Sequence, residues 1–88
     1  MAAARFEIRG EVQGVGFRQF ALRTALRLEL SGWVRNRDDG SVEAVASGAD
    51  AALDCFEREL GQGPLGARVH QVVRHRAEAS WPSGFTIK

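Results

Sequence analysis

Residues 4–28 read ARFEIRGEVQGVGFRQFALRTALRL, and a change of rhythm inside them decides the fold. From Ala4 to Val12 the chain alternates. Phe6, Ile8 and Val12 fall on one side, and Arg5, Glu7, Arg9 and Glu11 on the other. A period of two with one charged side predicts a half-buried strand. Gln13-Gly14-Val15-Gly16 interrupts it as a tight loop. From Phe17 the apolar positions recur at helical spacing: Phe17, Phe20, Ala21, Thr24, Ala25 and Leu28 share a stripe, with Gln19, Arg23 and Arg27 opposite. That predicts a helix with one buried side, leaving Leu22 and Leu26 partly exposed.

Further elements follow outward from this unit. Residues 31–37 predict a second strand, Asp38-Asp39-Gly40 a hairpin turn, and residues 41–47 a third strand. A second helix is expected over about 49–61, with Ala49, Ala52, Leu53, Phe56 and Leu60 facing inward and Asp50 in its first turn, where the helix dipole favours an anion. Gly61, Gly63 and Pro64 end it. Residues 67–79 read as a strand and 84–88 as a short terminal one. The order β-α-β-β-α-β predicts an α+β ferredoxin-like sandwich, two helices on one face of an antiparallel sheet.

The chain has 88 residues, 44% hydrophobic and 26% charged. That is one domain over residues 1–88, with ordinary globular composition and no sign of disorder. A single cysteine, Cys55, excludes an internal disulfide and a four-cysteine zinc site, and fits a reducing, cytoplasmic setting. No apolar run is long enough to span a bilayer, so no membrane is expected. The net charge is only +1, which gives no reason to expect nucleic acid. The charge is unevenly spread, however: residues 1–37 hold seven arginines against three glutamates. A basic first half favours a small anion.

Two stretches carry candidate chemistry. In residues 10–18, GEVQGVGFR, glycines let successive backbone N–H groups turn to one point, and the next helix offers its free N–H groups there. Arg18 in the first helical turn adds a planar fork suited to phosphate. The stretch lacks the Gly-Lys-Ser/Thr of a nucleotide loop. Loop chemistry alone leaves two readings open: a tetrahedral-anion site, or a tight strand-to-helix connection with a solvated Arg18. The second stretch is Gly32 to Gly40. Asn36 there is either turn chemistry or a neutral amide that can position a water beside a bound phosphate without adding charge.

GEVQGVGFR resembles the signature of the acylphosphatase family, Gly-x-Val-Gln-Gly-Val-x-Phe/Tyr-Arg. GWVRN followed by DGSVEAVASG resembles the family's second motif, and Gly63-Pro64, Ala67, Val69 and Phe85-Thr86-Ile87 also fit. The resemblance spans about Arg5 to Lys88. It implies the same sandwich and a hydrolase that cleaves carboxyl-phosphate anhydrides to carboxylate and inorganic phosphate, with no metal and no cofactor. By the family pattern Arg18 binds the phosphoryl group together with the amides of Gln13, Gly14, Val15, Gly16, Phe17 and Arg18, and Asn36 orients the attacking water. Inorganic phosphate or sulfate is then expected to compete, and the chain to act as a monomer. The same domain opens a large hydrogenase-maturation carbamoyltransferase; a free-standing enzyme is the expectation here. One departure stands out: Glu29 occupies a position after the first helix where the family usually has Gly.

Other residues read blandly. His70 and His75 are five apart and point to opposite faces of a strand, so they are not expected to share a metal. Cys55 reads as a passive thiol, and Trp33 and Trp81 as packing or sheet cover. Arg5, Arg9 and Arg35 read as a solvated face. A non-catalytic anion sensor using the same loop, and a ferredoxin-like nucleic-acid binder, are the readings from other classes. Asn36 argues against the sensor, and the lack of paired exposed aromatics argues against the binder.

Overall fold

The computed structural model describes residues 2–78 and 83–88. In chain order it comprises β1 (Ala2–Glu11), α1 (Phe17–Arg27), β2 (Ser31–Asn36), β3 (Val42–Gly48), α2 (Asp50–Gln62), β4 (Arg68–Arg76) and β5 (Phe85–Ile87). The five strands form one sheet in the order β4-β1-β3-β2-β5. The alternation read in β1 is realised: Phe6 and Ile8 are fully buried, while Arg5, Glu7 and Arg9 lie on the face away from the core. Phe17, Ala21 and Ala25 of α1 and Leu53, Phe56 and Leu60 of α2 close over the same side as Phe6 and Ile8. Both helices therefore cover one face, as a single apolar stripe per helix requires.

Aromatic contacts lock the layers. Phe56 of α2 stands edge-on to Phe6 of β1, ring centres 5.4 Å apart, and to Phe85 of β5 at 6.1 Å. Burying a large apolar side chain stabilises by about 1.5–3 kcal/mol, and such ring pairs add about 0.5–1.5 kcal/mol. Phe56 thus joins the middle of the sheet to its β5 edge.

The sandwich matches the expectation, with one addition: β5 pairs parallel to β2, through Trp33 with Thr86, so the sheet is mixed. The reason is chain length. β4 and β5 are opposite edges of the sheet, separated by four strand spacings of about 4.8 Å. The eight residues between them reach about 26 Å at about 3.3 Å each, little more than the span itself, which favours the nearest end. β5 begins at the end where β4 stops, on the row of Arg76, Ala4, Ala46 and Gly32, which sets it antiparallel to β4 and parallel to β2.

Smaller differences concern ends. Ala49 is not inward; it is the exposed, extended N-cap of α2. Phe20 and Leu28 are only half-buried. Val12 lies just past β1 but stays buried. β4 stops at Arg76; position 79 of the expected strand, and Trp81, lie outside the described residues.

The end of α1 shows why glycine suits the position that Glu29 occupies. Its N–H donates to Leu26 O at 3.1 Å, and the next N–H, of Leu30, reaches back to Ala25 O at 2.9 Å. That bond pair closes a helix through a left-handed residue. Glu29 is that residue, at φ 58, the only non-glycine among the described residues with positive φ.

Candidate active site

The loop between β1 and α1 is shaped by two left-handed glycines, Gly14 at φ 77 and Gly16 at φ 78. A Cβ at either would meet no atom within 4 Å, so backbone conformation, not space, calls for glycine. Residues in this sense on either side of Val15 turn neighbouring N–H groups toward a common point. Gly16 is the N-cap of α1, and its carbonyl accepts the first helical bond, from Phe20 N–H, at 3.0 Å. No side chain caps this helix and its first turn carries no acid. Its free N–H groups and positive dipole end are left for something else. In α2 the corresponding turn holds Asp50.

A hollow of about 180 Å³ opens at this loop, lined by Val12, Gly14, Gly16, Phe17, Arg18, Gln19, Asn36 and Ile87. Five residues singled out from the sequence thus meet: Gly14, Gly16, Phe17, Arg18 and Asn36. Larger grooves run along α2 and β4, beside the start of β1 and at the β2–β3 turn, where Asn36 also lies on the wall, but none of them contains a glycine loop or a helix N-terminus free of acid.

Arg18 is half-buried, and its Nη1 donates to the main-chain oxygen of Lys88 at 3.5 Å. No Asp or Glu carboxylate lies within ion-pair range of it among the described residues. Asn36 is the last residue of β2, paired with Val42 of β3. Its side-chain amide forms no hydrogen bond among the described residues. The turn that follows is held instead by Asp39, whose Oδ1 accepts from Ser41 N–H at 2.9 Å and from Ser41 Oγ–H at 2.6 Å. The Ser41 hydroxyl, then its backbone N–H, keep the Asp39 carboxyl below the usual carboxylate range. Turn chemistry therefore belongs to Asp39, and Asn36 is left facing the hollow.

Gln13 and Val15 are not on the lining. Val15 packs against the core. The Gln13 amide reaches across to the β2–β3 turn, donating to Arg37 O at 2.7 Å and Ser41 O at 2.9 Å. It ties the glycine loop to the strand end that carries Asn36. Sequence reading missed this bridge, and missed Gln19 and Ile87 as walls. The closing Phe85-Thr86-Ile87 was noticed, but its place beside β2 depends on the parallel edge.

The opposite sheet face carries an ion network. Glu43 Oε1 accepts from Arg35 Nε at 2.7 Å, and Arg5 Nη1 lies 2.9 Å from Glu7 Oε1 and 3.3 Å from Glu43 Oε2. Arg37, Arg9 and His75 also approach Glu7, at 3.2, 3.9 and 3.9 Å. The Arg5 hydrogen bond holds the Glu7 carboxyl below its ordinary range, and Glu7 raises Arg5. Arg5, Arg9 and Arg35 are thus bound to carboxylates rather than merely solvated. Trp33 lies on this face, with Lys88 Nζ 4.3 Å from its ring centre and Arg35 5.4 Å away. His70 and His75 point to opposite sides, as expected: His70 lines the α2 groove and His75 faces Glu7. Among the described residues no three His, Cys, Asp or Glu side chains gather as metal ligands.

Comparison with known proteins agrees with this arrangement. The family described as acylphosphatase matches residues 4–87. The acylphosphatase of Nitratidesulfovibrio vulgaris is 46% identical over 91 aligned positions, covering 100% of this chain and 91% of its own. That of Pasteurella multocida is 49% identical, covering 100% and 99%. The crystal structure of acylphosphatase from Bacillus subtilis superposes with a TM-score of 0.95 at 36% identity, covering 100% of this chain and 99% of that one. With the family matched over residues 4–87, full-length relatives at 46–49% identity and a superposable fold, this chain belongs to the acylphosphatase family and hydrolyses acyl phosphates.

Proposed function

We propose that the hollow at the 13–18 loop is the catalytic site, and that Arg18 and Asn36 divide its work. The observation that carries this is the meeting of two left-handed glycines, a helix start without an acid, an arginine paired with no Asp or Glu among the described residues and an amide without a side-chain hydrogen bond among them, around one small space. The phosphoryl group of the substrate sits on the loop N–H groups, with the Arg18 guanidinium on its non-bridging oxygens. These donors neutralise charge that spreads over those oxygens during transfer. The Asn36 amide accepts from a water and holds it in line with the bond to be broken. Water oxygen bonds to phosphorus, the bond from phosphorus to the acyl oxygen breaks, and its electron pair leaves with the carboxylate. The water proton goes to a phosphate oxygen, giving carboxylate and dihydrogen phosphate. The carboxylate is a good leaving group, so no strong general acid is required.

The reading implies a metal-independent reaction, competition by inorganic phosphate or sulfate, and action as a monomer. The lone Cys55 suits the cytoplasm. The experiment is phosphate release from acetyl phosphate in excess chelator, with and without added phosphate. Sustained turnover with competitive inhibition is expected. Turnover lost in chelator and restored by magnesium, or indifference to millimolar phosphate, overturns the reading.

A further inference from the structure

We infer that Arg37 is a positioning residue for this reaction, fastening the β2–β3 turn so that the neighbouring Asn36 stays at the rim of the hollow. The inference rests on the proposed role of Asn36 in holding water. Arg37 is absent from the lining of the hollow, so it does not act by touching the phosphoryl group. It is held from several directions. Its N–H donates to Ser41 O at 2.8 Å, and its carbonyl accepts from Gln13 Nε2 at 2.7 Å and from Gly40 N–H at 3.2 Å. Its side-chain Nη1 donates to Glu7 Oε1 at 3.2 Å. Glu7 belongs to β1, and Gln13 lies two residues beyond that strand. The backbone and the side chain of Arg37 are therefore tied to the same segment that delivers the glycine loop. Asn36 precedes Arg37 directly and makes no side-chain bond of its own. Its distance from the loop is set by its backbone, which is held on one side by the pairing with Val42 and on the other by Arg37. The ordinary alternative is that Arg37 only adds stability to an exposed turn, a role that moves the melting temperature and not the chemistry.

The test is steady-state kinetics on Arg37→Gln, Arg37→Lys, Asn36→Ala and the double variant Asn36→Ala/Arg37→Gln, with acetyl phosphate as substrate and inorganic phosphate as inhibitor. Misplacing a nucleophile by a fraction of an ångström is worth on the order of 10-fold. Arg37→Gln is expected to lower kcat by about that factor while KM and phosphate inhibition hold. Arg37→Lys should keep most of the turnover, because the contact with Glu7 uses a single nitrogen. In the Asn36→Ala background Arg37→Gln should remove nothing more, the mark of two residues acting through one function. Normal kcat in Arg37→Gln overturns the inference. So does a raised KM with weakened phosphate inhibition, which would make Arg37 a direct anion ligand, or an undiminished loss in the double variant. These outcomes leave the loss in Asn36→Ala intact. Unimpaired kcat in Asn36→Ala is the distinct result that removes the Asn36 reading and this one with it. Should Arg37→Gln not fold, Glu7→Gln removes the same contact from the other side and must show the same split.

Discussion

Two faces of one sheet use arginine in opposite ways. On the open face Arg5, Arg35 and Arg37 all reach Glu7 or Glu43, within 2.7–3.2 Å at their nearest. In the hollow Arg18 meets the main-chain oxygen of the last residue, Lys88, and no Asp or Glu among the described residues. The helix starts differ in the same sense: α2 carries its own acid in the first turn and α1 carries none. Where the protein satisfies its own charges the result is structure. Where donors converge with few acceptors of their own, the proposed reading seats the phosphoryl group of the substrate. An arginine is therefore informative here by what does not pair with it.

Substituting Arg18 breaks the comparison most severely. Arg18→Lys keeps the charge but replaces a planar fork with a point donor, and should lose about 2–4 kcal/mol of transition-state binding. Turnover and phosphate inhibition should fall together in an assay of both. Near-normal kcat/KM would mean that the loop amides suffice. Next comes Asn36→Ala, expected to lower kcat on the order of 100-fold with little change in KM or phosphate inhibition. Since Asp39 holds the turn, its melting temperature should stay near that of the parent. A stable protein with full kcat would return Asn36 to an ordinary strand end.

Away from both faces, Glu29→Gly should stabilise the fold by about 1 kcal/mol, because glycine tolerates φ 58 without the penalty of a Cβ. For a domain of this size that raises Tm by roughly 4–8 °C, readable by calorimetry, with activity unchanged. A lower Tm would mean that Glu29 contributes contacts that outweigh its strain.

The smallest effect belongs to the open face. Glu7 and Asp39 are held below their ordinary range, so the folded state binds fewer protons than the unfolded one as pH falls. Their contribution is complete above the usual carboxylate range, about pH 4, and is lost as the pH drops through their folded values. Melting curves should show a decline on acidification below about pH 4, shallower in Glu7→Gln and in high salt, where exposed pairs are screened. An acid profile identical in Glu7→Gln would remove that residue from the linkage.

Local patterns made much of this legible. Alternation in β1, the helical stripe from Phe17 and the glycines before it are nearest-neighbour facts, and they located the strand, the helix and the loop that meets Arg18. Glu29 was legible because a helix end imposes one backbone shape whatever follows. What stayed hidden depends on residues far apart in the chain. Nothing near Gln13 says that its amide will cross to Arg37 and Ser41. Three residues, Phe85–Ile87, are too few to announce a parallel partner. Ala49 was apolar and in phase, yet the helix begins one residue later, since periodicity marks a stripe more sharply than its ends.

The strand order also sets how fast the molecule can form. Only β2 and β3 are joined by a short turn. β1, made first, lies between β3 and β4, so Ile8 must find both Val42 and Val72. The last strand must find Trp33 from the far end of the chain. Little of the sheet can be zipped from a hairpin outward, and large loops must close before their contacts stabilise anything. Domains dominated by such distant pairings fold in milliseconds to seconds rather than microseconds. Until β4 arrives, the apolar side of β1 waits with one edge unpaired, which makes this interval the period when the chain is most prone to join a neighbour instead of itself.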